Sequence, residues 1–334
     1  MHYRGQDKAA QERLSNKVGV LITNLGTPAA PTKEALRPYL KEFLSDPRVV
    51  ELPRWKWWPI LHGIILNVRP AKSAKLYASV WTDKGSPLMT ISMDQCAALQ
   101  AQLGDEYVVK LGMRYGQPSI ASQLQAFQDA GINKLIVLPL YPQYSGPTTG
   151  STFDALSKEI ASWRWMPDLH FINTYHDHPL YIDALCQSIE KHRAAHGEPE
   201  RWVFSYHGMP QRYLESGDPY YCLCQKTTRL VAEKLGLSQG SYLTSFQSLF
   251  GKEEWLKPYT DATLTQLGKE GIKHVAVLCP GFSADCLETI EEIGEENREV
   301  FTEAGGETYH YIPALNSDPI HIDMMADLVK GRAL

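Results

Sequence analysis

Short apolar runs alternate with helix-period segments along most of this chain. Runs of strand length, rich in Val, Leu and Ile, cover residues 18–24, 108–112, 135–139, 201–206 and 274–279. Segments in which apolar residues recur at helical spacing cover residues 119–129, 180–193, 227–235 and 261–269. Such alternation is typical of parallel sheets covered by helices, so we predict an α/β fold.

The first half of the chain is echoed in the second. Residues 131–139 resemble residues 271–280, and each stretch follows an amphipathic helix and ends at a turn. A strand followed by Gly-x-Pro also occurs twice, at residues 24–28 and 206–210. We therefore predict two similar doubly wound, Rossmann-like lobes, each with a four-stranded parallel sheet flanked by helices. The predicted limits are 17–168 for the N-terminal lobe, 169–312 for the C-terminal lobe and 313–334 for a C-terminal helix that packs back on the N-terminal lobe.

Composition and charge exclude several classes of protein. The chain has 334 residues, 43% of them hydrophobic, and a net charge of −5, so it can bury a large core but lacks the basic footprint of a nucleic-acid-binding protein. No uncharged apolar run is long enough to span a bilayer, and the polar residues 1–17 do not resemble a signal peptide. The six cysteines are scattered, which suits a reducing compartment. We expect a cytoplasmic protein without a nucleic-acid partner.

A Trp-rich stretch over residues 52–68 stands apart from this pattern. Trp55, Trp57 and Trp58 precede a run of Ile and Leu, with basic residues interleaved. One interpretation is a core helix. The other is an exposed apolar lip that receives a flat hydrophobic ligand or touches a membrane surface.

Two segments carry candidate chemistry. Glu288, Glu292 and Glu296 recur every four residues in a predicted helix, so their carboxylates should form a column. A Glu-rich helix is often only a solvated face, and a second column stands one face over, at Glu291, Glu295 and Glu299. However, Glu288 lies just beyond the carboxyl end of a strand, where open α/β folds bind ligands. His207 also follows a strand end, and its imidazole can move a proton or ligate a metal near neutral pH.

The same segments carry a resemblance to a known family. Residues 205–210 and 280–292 resemble the two signature segments of the ferrochelatases, in particular the haem-forming proteobacterial members. The likeness extends from about Lys17 through nearly the whole chain, and includes residues 24–28, 114–115, 140–145, 148–150 and 246–248. It implies a chelatase-like fold and the insertion of Fe²⁺ into protoporphyrin IX to give protohaem.

The resemblance also implies roles for individual residues. The family's metal-binding and catalytic pair corresponds to His207 and Glu288, and its line of acids to Glu292 and Glu296. Its porphyrin-contacting residues correspond to Leu25, Arg114, Tyr115 and Tyr141, and its apolar lip to residues 55–66. The partners are then protoporphyrin IX and Fe²⁺, with a peripheral membrane contact through the lip. The oligomeric state is not predicted.

The sequence departs from some members of the family. Gly146 stands where some relatives have a cluster cysteine, and no cysteine follows Cys286. We therefore expect no 2Fe–2S cluster and no permanently bound cofactor. Cys286 replaces a histidine that many members carry beside the catalytic acid. Two alternatives remain open: a coproporphyrin III ferrochelatase, or a non-catalytic carrier of tetrapyrrole or iron.

Overall fold

The computed structural model of the chain describes residues 3–5, 15–251 and 253–333. The chain forms two compact units. The N-terminal unit takes the described residues within Met1–Leu140, Gly146–Asn173 and Ile322–Leu334. The C-terminal unit takes those within Tyr141–Ser145 and Thr174–His321.

The N-terminal unit is built on a four-stranded parallel sheet with strand order β2-β1-β3-β4. Strand β1 (Ser15–Gly26) is central, with β2 (Tyr107–Tyr115) on one side and β3 (Ile132–Pro139) and β4 (Asp168–Phe171) on the other. Its helices are α1 (Lys33–Leu44), α2 (Arg54–Ile60), α3 (Leu66–Val80), α4 (Pro87–Leu103), α5 (Ile120–Asp129) and α6 (Ser151–Ile160). Two π-helical turns, π1 (Leu61–Ile65) and π2 (Gly146–Gly150), join this set.

The C-terminal unit repeats the plan with strand order β6-β5-β7-β8, again fully parallel. The strands are β5 (Arg201–His207), β6 (Tyr242–Gln247), β7 (His274–Leu278) and β8 (Thr308–Ile312). The helices are α7 (Pro179–His196), α8 (Gln211–Glu215), α9 (Tyr220–Leu235), α10 (Thr260–Lys269), π3 (Glu288–Glu296) and α11 (Asn297–Glu303). The predicted fold class, two similar lobes with four-stranded parallel sheets, is confirmed.

The last helix, α12 (Pro319–Lys330), passes from the C-terminal unit into the N-terminal one at Ile322. Within the N-terminal unit, the Gln102 side-chain amide of α4 donates a hydrogen bond to the Asp323 carboxylate over 2.9 Å. None of the helices in the described ranges is long and apolar enough to cross a membrane.

The central strands are the best-buried parts of each sheet. In β1, Val20, Leu21 and Ile22 are fully buried, and in β5 the same holds for Val203 and Phe204. Continuous apolar runs of this kind are expected in parallel strands that have helices on both faces. The order of strands therefore leaves the carboxyl ends of β1 and β5 at the centre of each sheet, where ligands bind in such folds.

Candidate active site

His207 is the last residue of β5, and it lies opposite Gln247, the last residue of β6. The next residue, Gly208, donates its N–H to the Gln247 carbonyl over 2.7 Å. A Cβ atom at Gly208 would lie 2.7 Å from that same carbonyl oxygen, so no larger residue fits without moving the backbone. This close approach fixes the turn that carries His207 at the edge of the sheet.

The orientation of the His207 ring follows from one hydrogen bond. Nδ1 lies 2.7 Å from the carbonyl oxygen of Gly208. A carbonyl can only accept, so Nδ1 carries the proton and Nε2 keeps the lone pair of the neutral ring. The Phe282 ring stands beside the imidazole, with 6.4 Å between centroids. His207 therefore offers Nε2 as a proton acceptor or metal ligand.

Gln247 links the His207 strand end to the Glu288 helix. Its Oε1 accepts from the Ser205 hydroxyl over 2.7 Å, and its Nε2 donates to the Glu288 carbonyl over 3.0 Å. Gln247 is buried, so both ends of the amide are used inside the protein. The structure thus brings His207 and Glu288 into one hydrogen-bonded assembly.

The helix that carries the glutamates differs from the prediction. Residues Glu288–Glu296 form a π-helix, and the N–H of Asn297 bonds to the Glu292 carbonyl five residues earlier. The Asn297 side chain also donates to that carbonyl, over 2.8 Å. The predicted columns assumed an α-helix, whereas this segment is a π-helix, in which each turn takes about one residue more.

The three acids of the predicted column have different environments. Glu292 is half-buried, while Glu296 is exposed. Burial raises the pKa of Glu291, and the charge of Glu296, one π turn away, raises it further. Glu296 therefore acts electrostatically on Glu291, a residue that the α-helical columns had placed on another face.

Glu292 is held by the residue that follows β6. The Ser248 N–H donates to Oε1 of Glu292 over 2.7 Å, and the Ser248 hydroxyl donates to Oε2 over 2.5 Å. Burial raises the pKa of Glu292 above its ordinary value, and the charge of Glu288 adds to this. The hydrogen bonds from Ser248 oppose this rise, and so does the positive charge of His207 when its ring is protonated. These effects do not cancel the rise. Both predicted catalytic residues therefore influence the pKa of Glu292 electrostatically.

Cys286 and Asp285, which lie just before Glu288, are both buried. Burial raises the pKa of the Cys286 thiol well above its ordinary value, and a hydrogen bond to Glu288 raises it further. In the metal-free protein this favours the protonated thiol. The Asp285 carboxylate accepts from Thr289, Tyr311 and Asn316, over 2.9, 2.5 and 2.7 Å. Those bonds fix the loop before π3.

Arg114 and Tyr115 end β2 in the N-terminal unit and meet at Asp46. Arg114 forms an ion pair with the Asp46 carboxylate, which also accepts from the Tyr115 hydroxyl over 2.8 Å. The Ser151 hydroxyl donates to Asp46 as well, over 2.6 Å. Burial alone would raise the pKa of Asp46, but these hydrogen bonds and the Arg114 charge bring it below its ordinary value. The guanidinium charge is thus already balanced inside the protein.

Leu25 packs against the apolar cluster that contains Tyr115, Trp57 and Leu61. Trp57 is buried, and its indole N–H donates to the Leu44 carbonyl over 2.7 Å. Trp55 is 74% exposed, and Trp58 and Ile64 are exposed as well. One side of residues 52–68 is therefore core, as the first interpretation predicted, and the other side is an apolar surface, whose role stays a prediction.

Tyr141 belongs to the C-terminal unit, unlike the other predicted porphyrin contacts. It is half-buried and lies close enough to Tyr175 to affect its titration. Leu25, Arg114 and Tyr115 belong together in the N-terminal unit, and His207, Glu288 and Glu292 in the C-terminal one.

The sequence analysis missed a cluster of four histidines in the C-terminal unit. His192 and His196 lie one helical turn apart on α7, His274 begins β7, and His310 lies in β8. Ring centroids are 4.4 Å apart for His196 and His310, 5.0 Å for His192 and His310, and 5.3 Å for His274 and His310. The i, i+4 spacing of His192 and His196 was the only signal in the sequence, since the other two are far away along the chain.

Across the described ranges, no three His, Cys, Asp or Glu side chains are grouped so that they could hold a metal ion. All six cysteines are free thiols.

The sequence analysis mentioned Gln247 and Ser248 only as part of a family motif. In the structure Gln247 bonds to the Glu288 carbonyl and Ser248 bonds to the Glu292 carboxylate. Their contacts depend on a neighbouring strand, which spacing along the chain does not reveal.

Comparison with known proteins now decides the family. A model of the ferrochelatases matches residues 17–333. The chain belongs to the ferrochelatase family. This ferrochelatase is 61% identical to ferrochelatase 2 of Shewanella oneidensis, over 94% of this chain and 97% of that one. It is 58% identical to the ferrochelatase of Alcanivorax borkumensis, over 99% and 98% of the two chains. The predicted resemblance is confirmed.

Solved structures support the fold. CbiX, described as the terminal enzyme for biosynthesis of sirohaem in denitrifying bacteria, matches with a TM-score of 0.51 at 10% identity, over 95% of this chain and 100% of that one. SirB from Bacillus subtilis with Fe³⁺ matches with a TM-score of 0.56 at 12% identity, over 94% of each chain. At such low identity these likenesses establish the chelatase-like fold alone.

Proposed function

We propose that His207 and Glu288 handle iron and protons in this ferrochelatase, with Glu292 and Glu296 as the acid path, and that Leu25, Arg114, Tyr115 and Tyr141 contact the porphyrin. Family membership makes the protein a lyase of haem biosynthesis that inserts Fe²⁺ into protoporphyrin IX to give protohaem. The observation that supports the residue roles is the assembly in which Gln247 lies opposite His207 and bonds to the Glu288 carbonyl.

The chemistry requires a metal ligand and a proton acceptor. Fe²⁺ enters the ring as two pyrrole N–H bonds break, so two protons leave for each haem formed. Imidazole and carboxylate bind ferrous iron without the strength of thiolates, which would retain it. In our proposal Nε2 of His207 and the Glu288 carboxylate first hold the iron, and one of the two then accepts pyrrole protons once the iron has moved into the ring.

Glu292 is the next acceptor in the proposed path. Its raised pKa brings it closer to neutral pH than an ordinary glutamate. The Glu288 charge raises the pKa of Glu292, whereas the positive charge that His207 carries once it is protonated lowers it. A carboxyl in that state can take a proton from the first pair and pass it on. Glu296 is exposed and offers the last step to solvent.

Arg114, Tyr115 and Leu25 are proposed to contact the porphyrin from the N-terminal unit. Asp46 balances the Arg114 charge, and Nε of Arg114 donates to Ser151. Among the described residues Nη1 of Arg114 keeps no partner, so Arg114 can offer a propionate one hydrogen bond rather than a bidentate grip. We propose that Tyr141 contacts the ring from the C-terminal unit.

The lip is proposed to rest on an anionic membrane surface. Between Leu52 and Thr82 every charged residue is basic, namely Arg54, Lys56, Arg69, Lys72 and Lys75, although the whole chain carries −5. Lys56 lies 5.0 Å from the ring centroid of the exposed Trp55. Basic residues beside exposed Trp and Ile suit the negative headgroups of a cytoplasmic leaflet. The porphyrin macrocycle is itself apolar, so this contact would deliver the porphyrin to the protein.

One assay tests the activity. The purified chain is mixed with Fe²⁺ and protoporphyrin IX without oxygen, and the haem absorption bands are followed. We expect turnover, with coproporphyrin III converted more slowly. Preferred turnover of coproporphyrin III would reassign the substrate, whereas binding without turnover would favour the carrier alternative. Metal analysis of the same preparation checks the expectation that no 2Fe–2S cluster is bound.

A further inference from the structure

Ser248 occupies an unusual backbone conformation next to the predicted catalytic residues. Its φ is +65°, in the left-handed region that side chains other than Gly, Asn and Asp rarely adopt. It follows β6 directly, and the preceding Gln247 is pinned by its bond to the Glu288 carbonyl. Strain of this kind persists where the surroundings impose it, and it is concentrated at functional sites.

In this conformation Ser248 donates two hydrogen bonds to the Glu292 carboxylate. The N–H and the hydroxyl of Ser248 reach different oxygens of one carboxylate, over 2.7 and 2.5 Å. Two bonds to separate oxygens fix both the position of the carboxylate and the rotation of its plane. A single bond would leave that rotation free.

Gln247 and Ser248 together hold the first turn of π3. Gln247 bonds to the backbone of Glu288, and Ser248 bonds to the side chain of Glu292, four residues later. The end of β6 therefore sets the angle at which Glu292 faces the His207 side of the site.

We propose that Ser248 is a positioning residue, which orients the Glu292 carboxylate to receive protons released during iron insertion. The inference rests on the proposed function, because Glu292 is assigned there as the second proton acceptor. Ser248 itself touches neither substrate nor metal in this scheme. Its contribution is to hold the Glu292 carboxylate in the orientation in which it accepts protons.

Two substitutions separate positioning from stability. Ser248→Ala removes the hydroxyl and keeps a Cβ at positive φ, whereas Ser248→Gly removes the hydroxyl and accepts that φ freely. We expect the Gly variant to melt at or above the temperature of the Ala variant. We also expect kcat to fall by at least about ten-fold in both, since a hydrogen bond to a charged group is lost. KM for protoporphyrin IX should not change.

A double-mutant cycle shows whether Ser248 acts through Glu292. If it does, Ser248→Gly should lower kcat in the wild-type background but not in Glu292→Gln, where the relay is already impaired. Ser241→Ala is the matched control, because its hydroxyl donates to the Ser238 carbonyl, in the turn before β6 rather than at Glu292.

The outcomes are distinguishable. Activity that follows thermal stability, with the Gly variant close to wild type, would overturn the positioning role and leave the proposed function intact. Equal losses from Ser248→Gly in both backgrounds would also overturn it. Failure of the wild-type chain to form haem would instead count against the proposed function.

Discussion

His207 donates its Nδ1 proton to the carbonyl oxygen of Gly208, the residue that follows it in the chain, over 2.7 Å. The bond joins neighbours in the sequence, but it depends on a turn that requires glycine at position 208, because a Cβ there would lie too close to the Gln247 carbonyl oxygen. In the neutral ring this bond leaves the lone pair on Nε2, which is the atom that the proposed role of His207 requires.

Replacing either His207 or Glu288, the proposed catalytic pair, should abolish metallation. We expect His207→Ala and Glu288→Ala to lower the rate of haem formation by at least about 100-fold, since general acid–base and ligand functions are lost. Porphyrin binding, followed by fluorescence, should be retained. His170→Ala, at a half-exposed site on β4 of the other unit, serves as the control and should keep its rate. Near-normal turnover in either active-site variant would contradict the assignment.

The buried ion pair at Asp46 should matter for stability. Asp46→Asn leaves the Arg114 charge without a partner at a site where the Asp46 side chain is only 3% exposed. We expect the free energy of unfolding to fall by about 3 kcal/mol. Asp154→Asn breaks the surface pair with Arg48 on the same unit, and should cost less than about 1 kcal/mol. Equal losses in denaturant titrations of the two variants would be inconsistent with this account.

The lip should bind anionic vesicles. Trp55→Ala should weaken binding to phosphatidylglycerol vesicles by about ten-fold, because one large apolar side chain no longer enters the interface. Lys56→Gln should weaken it by about five-fold, and less at high salt. Trp165→Ala is the matched control, since Trp165 is 50% exposed on the same unit but lies outside the basic stretch. Equal binding to phosphatidylcholine vesicles would argue against the anionic preference.

The four-histidine cluster should make the C-terminal unit sensitive to acid. Burial and the neighbouring histidines lower the pKa of His192 to about 4, and burial and neighbours also lower the pKa values of His274 and His310. The unfolded chain therefore binds these protons more readily, with a pKa near 6.5, so the folded state loses stability as pH falls from about 6.5 to 4. Glu200 partly opposes this at His274.

His192→Gln tests that pH dependence. We expect the melting temperature of the variant to fall less steeply than that of the wild type between pH 6.5 and 4, because one group that resists protonation is gone. At pH 7.5 the two proteins should differ little. Parallel curves across the acid range would show that the cluster does not control stability.

The sequence allowed much of the fold to be predicted, but not evenly. Strands β1, β2, β3, β5 and β7 were found because each contains a short apolar run of the kind expected in a buried parallel strand. Strands β4, β6 and β8 were missed. Two of them, β4 and β8, are short edge strands, and β6 carries Thr244, Ser245 and Gln247, which are polar but bonded inside the protein.

Within the site, spacing alone was less reliable. The positions of His207 and Glu288 at strand ends were predicted from the pattern, but their link through Gln247 depends on a strand 40 residues away from each. The π-helix was also beyond prediction, since its hydrogen bonds are weaker than those of an α-helix and tertiary contacts select it. Arg114 was predicted to anchor a propionate, and only the fold reveals that Asp46 already neutralises it.

The π-helical form of Glu288–Glu296 also constrains the length of this segment. A π turn relaxes to an α turn when one residue is removed, so a single deletion here would restore ordinary helix hydrogen bonding. It would also rotate Glu292 away from Ser248 and shift every later residue by about 100° around the helix axis. Surface helices usually absorb substitutions and lose function only when a key side chain is changed. In this helix we expect the number of residues to matter as well, because it sets whether the Glu292 carboxylate meets Ser248.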